Sequence, residues 1–207
     1  TFVENMLALA HFLRAAPRDA LDDPVRYIPL YGELLRDIRY RAGEMSGYPS
    51  RLHYFTDWIW DNQRKEKVQD LSQRLGGILD PEPIDFMSTH PDAYHQLSDP
   101  AVLDAIRMAE AALNRGERFY IPQDDLARRV EFIRNGDILA ATSTVAGLDI
   151  AHTGIAFRVG SELHLLHAPL AGGVVEISSL PLGQRILGLS SQDGIMVARP
   201  LECRDGC

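Results

Sequence analysis

Asp149-Ile-Ala-His-Thr-Gly-Ile-Ala-Phe-Arg-Val-Gly-Ser-Glu-Leu-His-Leu-Leu-His-Ala-Pro169 holds two runs of alternating, largely apolar residues on either side of Val159-Gly160. Alternation with period two marks strands lying in a sheet, and a short glycine-containing link marks an antiparallel hairpin. With Val159 and Gly160 as the loop, Arg158 faces Ser161, and counting outward puts His152 directly opposite His167. Cross-strand partners share a face, with Cβ atoms roughly 4.5–5.5 Å apart. A one-residue slip would send His167 to the other face, so the register is the testable part of this reading.

Two imidazoles side by side on a strand pair suit a general base and the group that orients it. The plainer reading is a pair of half-buried histidines satisfied by their neighbours, and spacing alone does not separate the two. His164 adds a third imidazole and raises the question of zinc. Positions 164 and 167 differ by an odd number, so on a regular strand they point to opposite faces, and no metal site built from all three is expected.

These residues carry a resemblance. His152-Thr-Gly-Ile-Ala-Phe157, a short turn and Leu163-His-Leu-Leu-His-Ala168 resemble the core hairpin of the NlpC-type, papain-like cell-wall hydrolases. Members of that group use a cysteine at the start of a helix, a histidine on one strand and a polar third residue on the next. His152 matches the strand histidine and His167 the third residue. Asn135-Gly-Asp-Ile-Leu-Ala140 resembles the strand that enters this sheet, and Gly173-Val-Val-Glu-Ile-Ser178 the strand that leaves it. The chain is most similar to the N-acetylmuramoyl-L-alanine amidase-like branch. The motifs are Arg39-Tyr-Arg-Ala-Gly43, Arg51-Leu-His-Tyr-Phe-Thr-Asp-Trp58 and Gly147-Leu-Asp-Ile-Ala-His152, the middle one being the most specific.

In that branch a Cys-Thr-Phe-Val-Glu-type motif opens the nucleophile helix, and this sequence begins at its Thr. The resemblance therefore implies a cysteine immediately before Thr1, with Thr1 at the start of the nucleophile and oxyanion helix. A helix N-terminus is where a thiolate is stabilised and its pKa lowered. The abrupt start reads as the remainder of a longer product, which leaves room for a removed leader. Cys203 and Cys207 follow the histidines in a polar tail and are not substitutes for that nucleophile. For them a local disulfide, suited to an oxidising compartment, and a pair of free thiols are both open.

A length of 207 residues suits one domain, and 45% hydrophobic with 24% charged residues is ordinary for a globular protein. The net charge of −8, from 21 Lys and Arg against 29 Asp and Glu, argues against general nucleic-acid binding. No apolar run approaches the roughly 18 residues of a membrane span. Neither a P-loop nor a dinucleotide fingerprint is found, and no cofactor is expected.

Along the chain, Thr1 to Arg14 reads as an amphipathic helix with capping-box spacing between Thr1 and Glu4. Pro24 to Arg41 reads as a second helix with a break at Pro29. In Tyr48 to Asn62 the aromatics are dense and have polar tips. Because Tyr and Trp stack on sugar faces while offering a hydrogen bond, Tyr48, Arg51, His53, Tyr54 and Trp58 are read as substrate-binding. Phe55, Trp58 and Ile59 have the spacing of an inward helix face. Gln63 to Lys67 reads as a solvated charge run, and Ile84 to Ser88 as a strand. Ser98-Asp-Pro100 opens a helix to Arg115, Phe119 to Pro122 is extended, and Asp124 to Ile133 is a short helix. Strands follow near 137–143, 151–158, 162–167, 173–178 and 194–199, with a helix at Leu182 to Leu187.

Helices first and strands after argue for an α+β architecture with an antiparallel sheet. The expectation is one domain over residues 1–207, mostly helical in 1–135 and β-rich in 136–200, and the resemblance gives it a papain-like fold. What the resemblance implies is a monomeric, exported or periplasmic cysteine amidase acting on peptidoglycan fragments (muropeptides). Its target would be the amide between N-acetylmuramic acid and L-alanine. A stem-peptide endopeptidase and a non-catalytic muropeptide-binding module are the alternatives.

Overall fold

The computed structural model describes residues 1–16, 23–170 and 173–202. Cys203 and Cys207 lie outside the described residues, and with them the question of a tail disulfide.

Helix α1 spans Phe2–Ala15, with Thr1 as its N-cap and the predicted capping box to Glu4 in place. Val3, Leu7, Ala8 and Phe12 form its buried stripe. Helix α2 (Pro24–Arg39) starts where Asp23 Oδ1 accepts from the Val25 amide at 3.1 Å. It runs unbroken through Pro29, contrary to the expected break. A proline removes one backbone hydrogen bond. Here Tyr27 before the proline and Leu34 and Ile38 after it pack on the core and hold the helix on both sides of it. Helix α3 follows at Phe55–Arg64.

In residues 63–67 Gln63, Arg64 and Glu66 are exposed, as expected of a solvated run, while Lys65 and Lys67 are partly buried. Lys65 pairs with the buried Asp61 at 2.7 Å and Lys67 with Asp37 at 3.0 Å, tying α3 to α2. Two short strands that lack alternation, β1 (Val68–Asp70) and β2 (Ile78–Leu79), escaped the sequence reading. The strand expected at Ile84–Ser88 is instead the single helical turn α4 (Phe86–Thr89). Only Ile84 makes a bridge there, to Gly147. Helix α5 (Pro100–Leu113) is capped by Asp99, which accepts from the Ala101 amide at 2.9 Å. Strand β3 (Phe119–Pro122) leads to α6 (Leu126–Arg129), a short α-helix flanked by 3-10 turns where one continuous helix was expected.

The β-rich half comprises β4 (Ile138–Ser143), β5 (Ile150–Val159), β6 (Glu162–His167), β7 (Glu176–Ile177), α7 (Leu182–Leu187) and β8 (Gln192–Pro200). All pairings in the sheet are antiparallel, in the order β2-β3-β8-β4-β5-β6-β7, with β1 also on β8. The central strands bury both faces. From β4 and β8, Ile138, Ala140, Met196 and Ala198 join the core under α1, α2 and α3. Their neighbours Leu139, Ala141, Ile195 and Val197 join a second core with Leu182 and Ile186 of α7. This is period-two geometry with apolar residues on both sides, the pattern of a sheet covered on both faces. A third cluster, with Ile84, Met87, Leu97, Ile106 and Leu113, packs around Tyr54.

Candidate active site

The hairpin forms, with a different register from the one expected. Val159 pairs with Glu162, so Gly160 and Ser161 make the turn, and Gly160 takes the positive φ of 61° that such a turn needs. The pairing Ile155↔Leu166, continued outward, sets His167 across from Gly154 rather than His152. The shift is two residues, not one, so both histidines keep the same face and become diagonal neighbours, which long side chains span. Gly154 takes no side chain because a Cβ there would run into the Leu165 side chain. His152 Nε2 and His167 Nδ1 lie 2.9 Å apart, and the rings meet edge to face with centroids at 4.9 Å.

His152 sits opposite Ala141 at the last regular position of β5 before a bulge, the kind of irregularity that re-aims a side chain. It lines a cleft of about 390 Å³ with Thr1 and Phe2 at the start of α1, His53 before α3 and Phe55 at its first position, Leu148 to Thr153, and Ala168. The N-terminus of α1 thus opens onto the imidazole pair. Thr1 caps that helix, with Glu4 closing the capping box at its third position.

Burial pushes the pKa of His152 down to about 4, helped by the neighbouring His167 and by the Arg185 guanidinium from α7. His167 is lowered too, by burial and Arg185, while Glu176 on β7 opposes the shift. Both rings are therefore held neutral. His164 points away, its Nδ1 2.7 Å from the Ser178 carbonyl. Among the described residues no group of three His, Cys, Asp or Glu side chains is arranged to hold a metal.

The aromatic segment divides differently from the sequence reading. Trp58 is 1% exposed in the core, and Tyr54 is buried, its hydroxyl donating to Glu110 at 2.6 Å and accepting from the Met87 amide. Neither lines the cleft that holds His152. Of the five expected contacts only His53 lines the cleft, with its Nε2 at 2.9 Å from the Tyr48 carbonyl and the Tyr48 ring tilted against it at a centroid distance of 4.3 Å. Burial, partly offset by that carbonyl, lowers the His53 pKa. Arg51 is committed to structure, its Nη2 3.0 Å from Glu4 Oε2.

Glu4 is the residue the sequence undervalued. Nearly fully buried, it also accepts from Arg39 Nε at 3.1 Å. Burial raises its pKa, and the hydrogen bond and charge of Arg51 act to lower it. Beside this cluster Arg41 grips Asp57 through two bonds of 2.8 and 2.6 Å. Asp149 accepts from the Thr56 and Ile150 amides, both at 2.8 Å, and so joins the foot of β5 to the first turn of α3. Burial raises its pKa despite those donors. Motifs far apart in sequence are thus one scaffold around the cleft. The only signal for it was charge at unexplained motif positions.

A second cleft of about 380 Å³ shares Leu148 and Asp149 with the first and holds Asp80, Glu82, Tyr120 and Asp193. Its acids are partly spoken for, Asp80 by Arg118 at 3.1 Å and Asp193 by Thr142 at 2.5 Å.

Fold and site define a class first: a mixed α+β protein with an imidazole pair beside a helix N-terminus. Its family is then given by comparison. Residues 1–190 match the AmiA-like family, described as N-acetylmuramoyl-L-alanine amidase-like, and the chain belongs to that family. An N-acetylmuramoyl-L-alanine amidase from Bacteroides uniformis is 36% identical, with 84% of this chain and 74% of that one covered at a TM-score of 0.80. A Bacteroides fragilis protein provisionally called a xylanase is 35% identical over 96% and 84% of the two chains, with a TM-score of 0.84. The Legionella pneumophila protein LPG0564, at 21% identity and a TM-score of 0.65, shares the fold. No match was found among curated proteins.

Proposed function

We propose that the protein is a cell-wall amidase of the papain-like, NlpC-type group that cuts the amide between N-acetylmuramic acid and L-alanine in muropeptides. The observation that carries this reading is the 2.9 Å contact between His152 and His167 at the mouth of α1. A cysteine immediately before Thr1, the position the family motif gives it, attacks the amide carbonyl. His152 takes the thiol proton and later returns it to the leaving L-alanine amine, while His167 holds the His152 ring. The carbonyl oxygen, negative in the tetrahedral intermediate, faces backbone N–H groups at the start of the helix. Water then attacks the thioester, with His152 again as base, and releases the lactyl carboxylate of the sugar. No metal or cofactor enters these steps. Such a substrate puts the protein in the periplasm or otherwise outside the cytoplasm.

A xylanase chemistry is not supported by the cleft. Glycoside hydrolysis takes two carboxyl groups flanking the bond. In the cleft lining the carboxyl present is that of Asp149, and its oxygens are bonded to backbone amides.

Incubating the protein, including its upstream segment, with disaccharide-tetrapeptide and resolving the products by mass decides the matter. The expected products are free disaccharide and an intact peptide beginning with L-alanine. A dipeptide released with L-Ala–D-Glu left on the sugar would make it an endopeptidase instead. Neither cysteine nor serine before Thr1, with no turnover, would leave a binding module.

A further inference from the structure

We propose that Glu176 is a positioning residue that sets the tautomers of the histidine pair. The step it serves, deprotonation of the thiol, rests on the amidase reading above. The tautomers themselves are a property of the folded chain.

His167 is 2% exposed, and its Nε2 is buried without a hydrogen-bond partner among the described residues. Leaving a buried ring nitrogen unmatched costs on the order of 1–3 kcal/mol, so such an atom in a native site asks for an explanation. The group facing it is Glu176, whose Oε1 lies 3.7 Å away. The backbone holds the two together, since His167 and Glu176 are direct partners in the β6–β7 ladder. At 3.7 Å this is an ionic contact rather than a hydrogen bond. The Glu176 side chain is half exposed, and hydrogen bonds of this kind are often long in unliganded sites and tighten when substrate excludes water.

The consequence follows from counting protons. The neutral pair shares one N–H across the contact between His152 Nε2 and His167 Nδ1. A carboxylate at His167 Nε2 favours the ring that carries its proton there. His167 Nδ1 is then an acceptor, so His152 must donate from Nε2. That leaves the Nδ1 lone pair of His152 bare, and this nitrogen makes no hydrogen bond among the described residues while its ring lines the cleft. Without Glu176 the reverse arrangement is available, with His152 protonated at Nδ1 and unable to accept from a thiol. Arg185 of α7 is the opposing charge here. It lowers both imidazoles, and it interacts with Glu176 as well.

The test is the protonation state of each ring nitrogen, read by long-range proton–nitrogen NMR on histidine-labelled protein. Wild type, Glu176→Gln and Glu176→Ala are compared, with turnover measured alongside. In wild type both rings should carry their proton on Nε2. Glu176→Gln should keep that arrangement, because the amide oxygen still accepts, but with the anion gone the pair should protonate at lower pH. Glu176→Ala should move protons onto Nδ1 and reduce kcat by about 10- to 100-fold at unchanged KM, the scale seen when an outer orienting partner is lost. An unchanged thermal midpoint in both variants would show that the edge strand still folds. Wild-type tautomers persisting in Glu176→Ala would overturn the proposal, as would an Nδ1 proton on His167 in the wild type. If the tautomers shift as stated but no variant cleaves muropeptide, the positioning role stands and the amidase reading fails.

Discussion

The β5–β6 hairpin and the Tyr48–Trp58 segment carry similar densities of chemically rich residues, yet one was readable and the other was not. On the hairpin, side-chain direction follows from the backbone. Period two and a glycine turn assign every residue a face, so a register error of two residues left the histidines together. In the aromatic segment a 3-10 turn, an extended stretch and a helix follow one another in eleven residues, Tyr48 to Trp58, and no single period applies. There direction is set by partners from elsewhere. Glu110 and Met87 claim Tyr54, Glu4 claims Arg51, and the core claims Trp58. Where local geometry is regular, sequence locates a site. Where it is irregular, composition alone mistakes scaffold for wall.

The largest effect should come from the hairpin. His152→Ala is expected to lower muropeptide turnover by about 10⁴-fold, the upper range for loss of a general base. His167→Ala should leave a measurable rate, roughly 10²-fold down, since it orients without taking the proton. Equal losses at both positions would break the assignment of roles. The matching experiment on the other region is a pair. Trp58→Ala should cost about 3–5 kcal/mol in a denaturant unfolding curve, as a truncated core tryptophan does. His53→Ala should change stability by less than about 1 kcal/mol and raise KM instead. If Trp58→Ala unfolded normally and only KM rose, the segment would be a wall after all.

Glu4→Gln addresses the scaffold that joins the two regions. It strips the anion from between Arg39 and Arg51, whose side chains keep 29% and 25% exposure. Breaking a fully buried pair costs about 3–5 kcal/mol, and solvent screening here brings the expected loss nearer 2 kcal/mol. Turnover should fall further than that instability explains, because the start of α1 is released. The smallest effect is a pH dependence. The His152 pKa is depressed in the folded chain, to about 4 from 6.5. Its neutral form therefore adds stability that is fully present above about pH 6.5 and lost as pH falls toward about 4, since the unfolded chain binds the proton more readily. Thermal midpoints measured over that window should drop less steeply in His152→Asn than in wild type.

Legibility followed the same division across the fold. The helix at Leu182–Leu187, the extended Phe119–Pro122 and the proline-opened α5 match their expected positions closely. Each has a strong local marker: a cap, a proline or alternation. Strands β1 and β2 have two or three residues and no pattern, so pairing with β8 and β3 is all that makes them strands. The helical turn at Phe86–Thr89 is likewise held by Gly147, whose carbonyl accepts from the Asp85 and Phe86 amides.

Within the site, His152 and His167 were visible as residues, but their contact atoms were not. Phe2, Phe55 and Glu176 carried no local sign of a place beside the histidines, because a cleft lining and a ladder partner are decided by chain segments far apart. Alternation, caps and turn glycines act over a few residues, so the sequence alone was enough to state a mixed α+β fold with an antiparallel sheet and a shared face for two histidines. Burial and charge pairing act between segments, and Glu4 meets Arg51 across 47 positions, Thr56 meets Asp149 across 93. Those long-range pairings, which only the folded chain brings within hydrogen-bond reach, decide which aromatic is core, which arginine is free and which nitrogen of His152 faces the cleft.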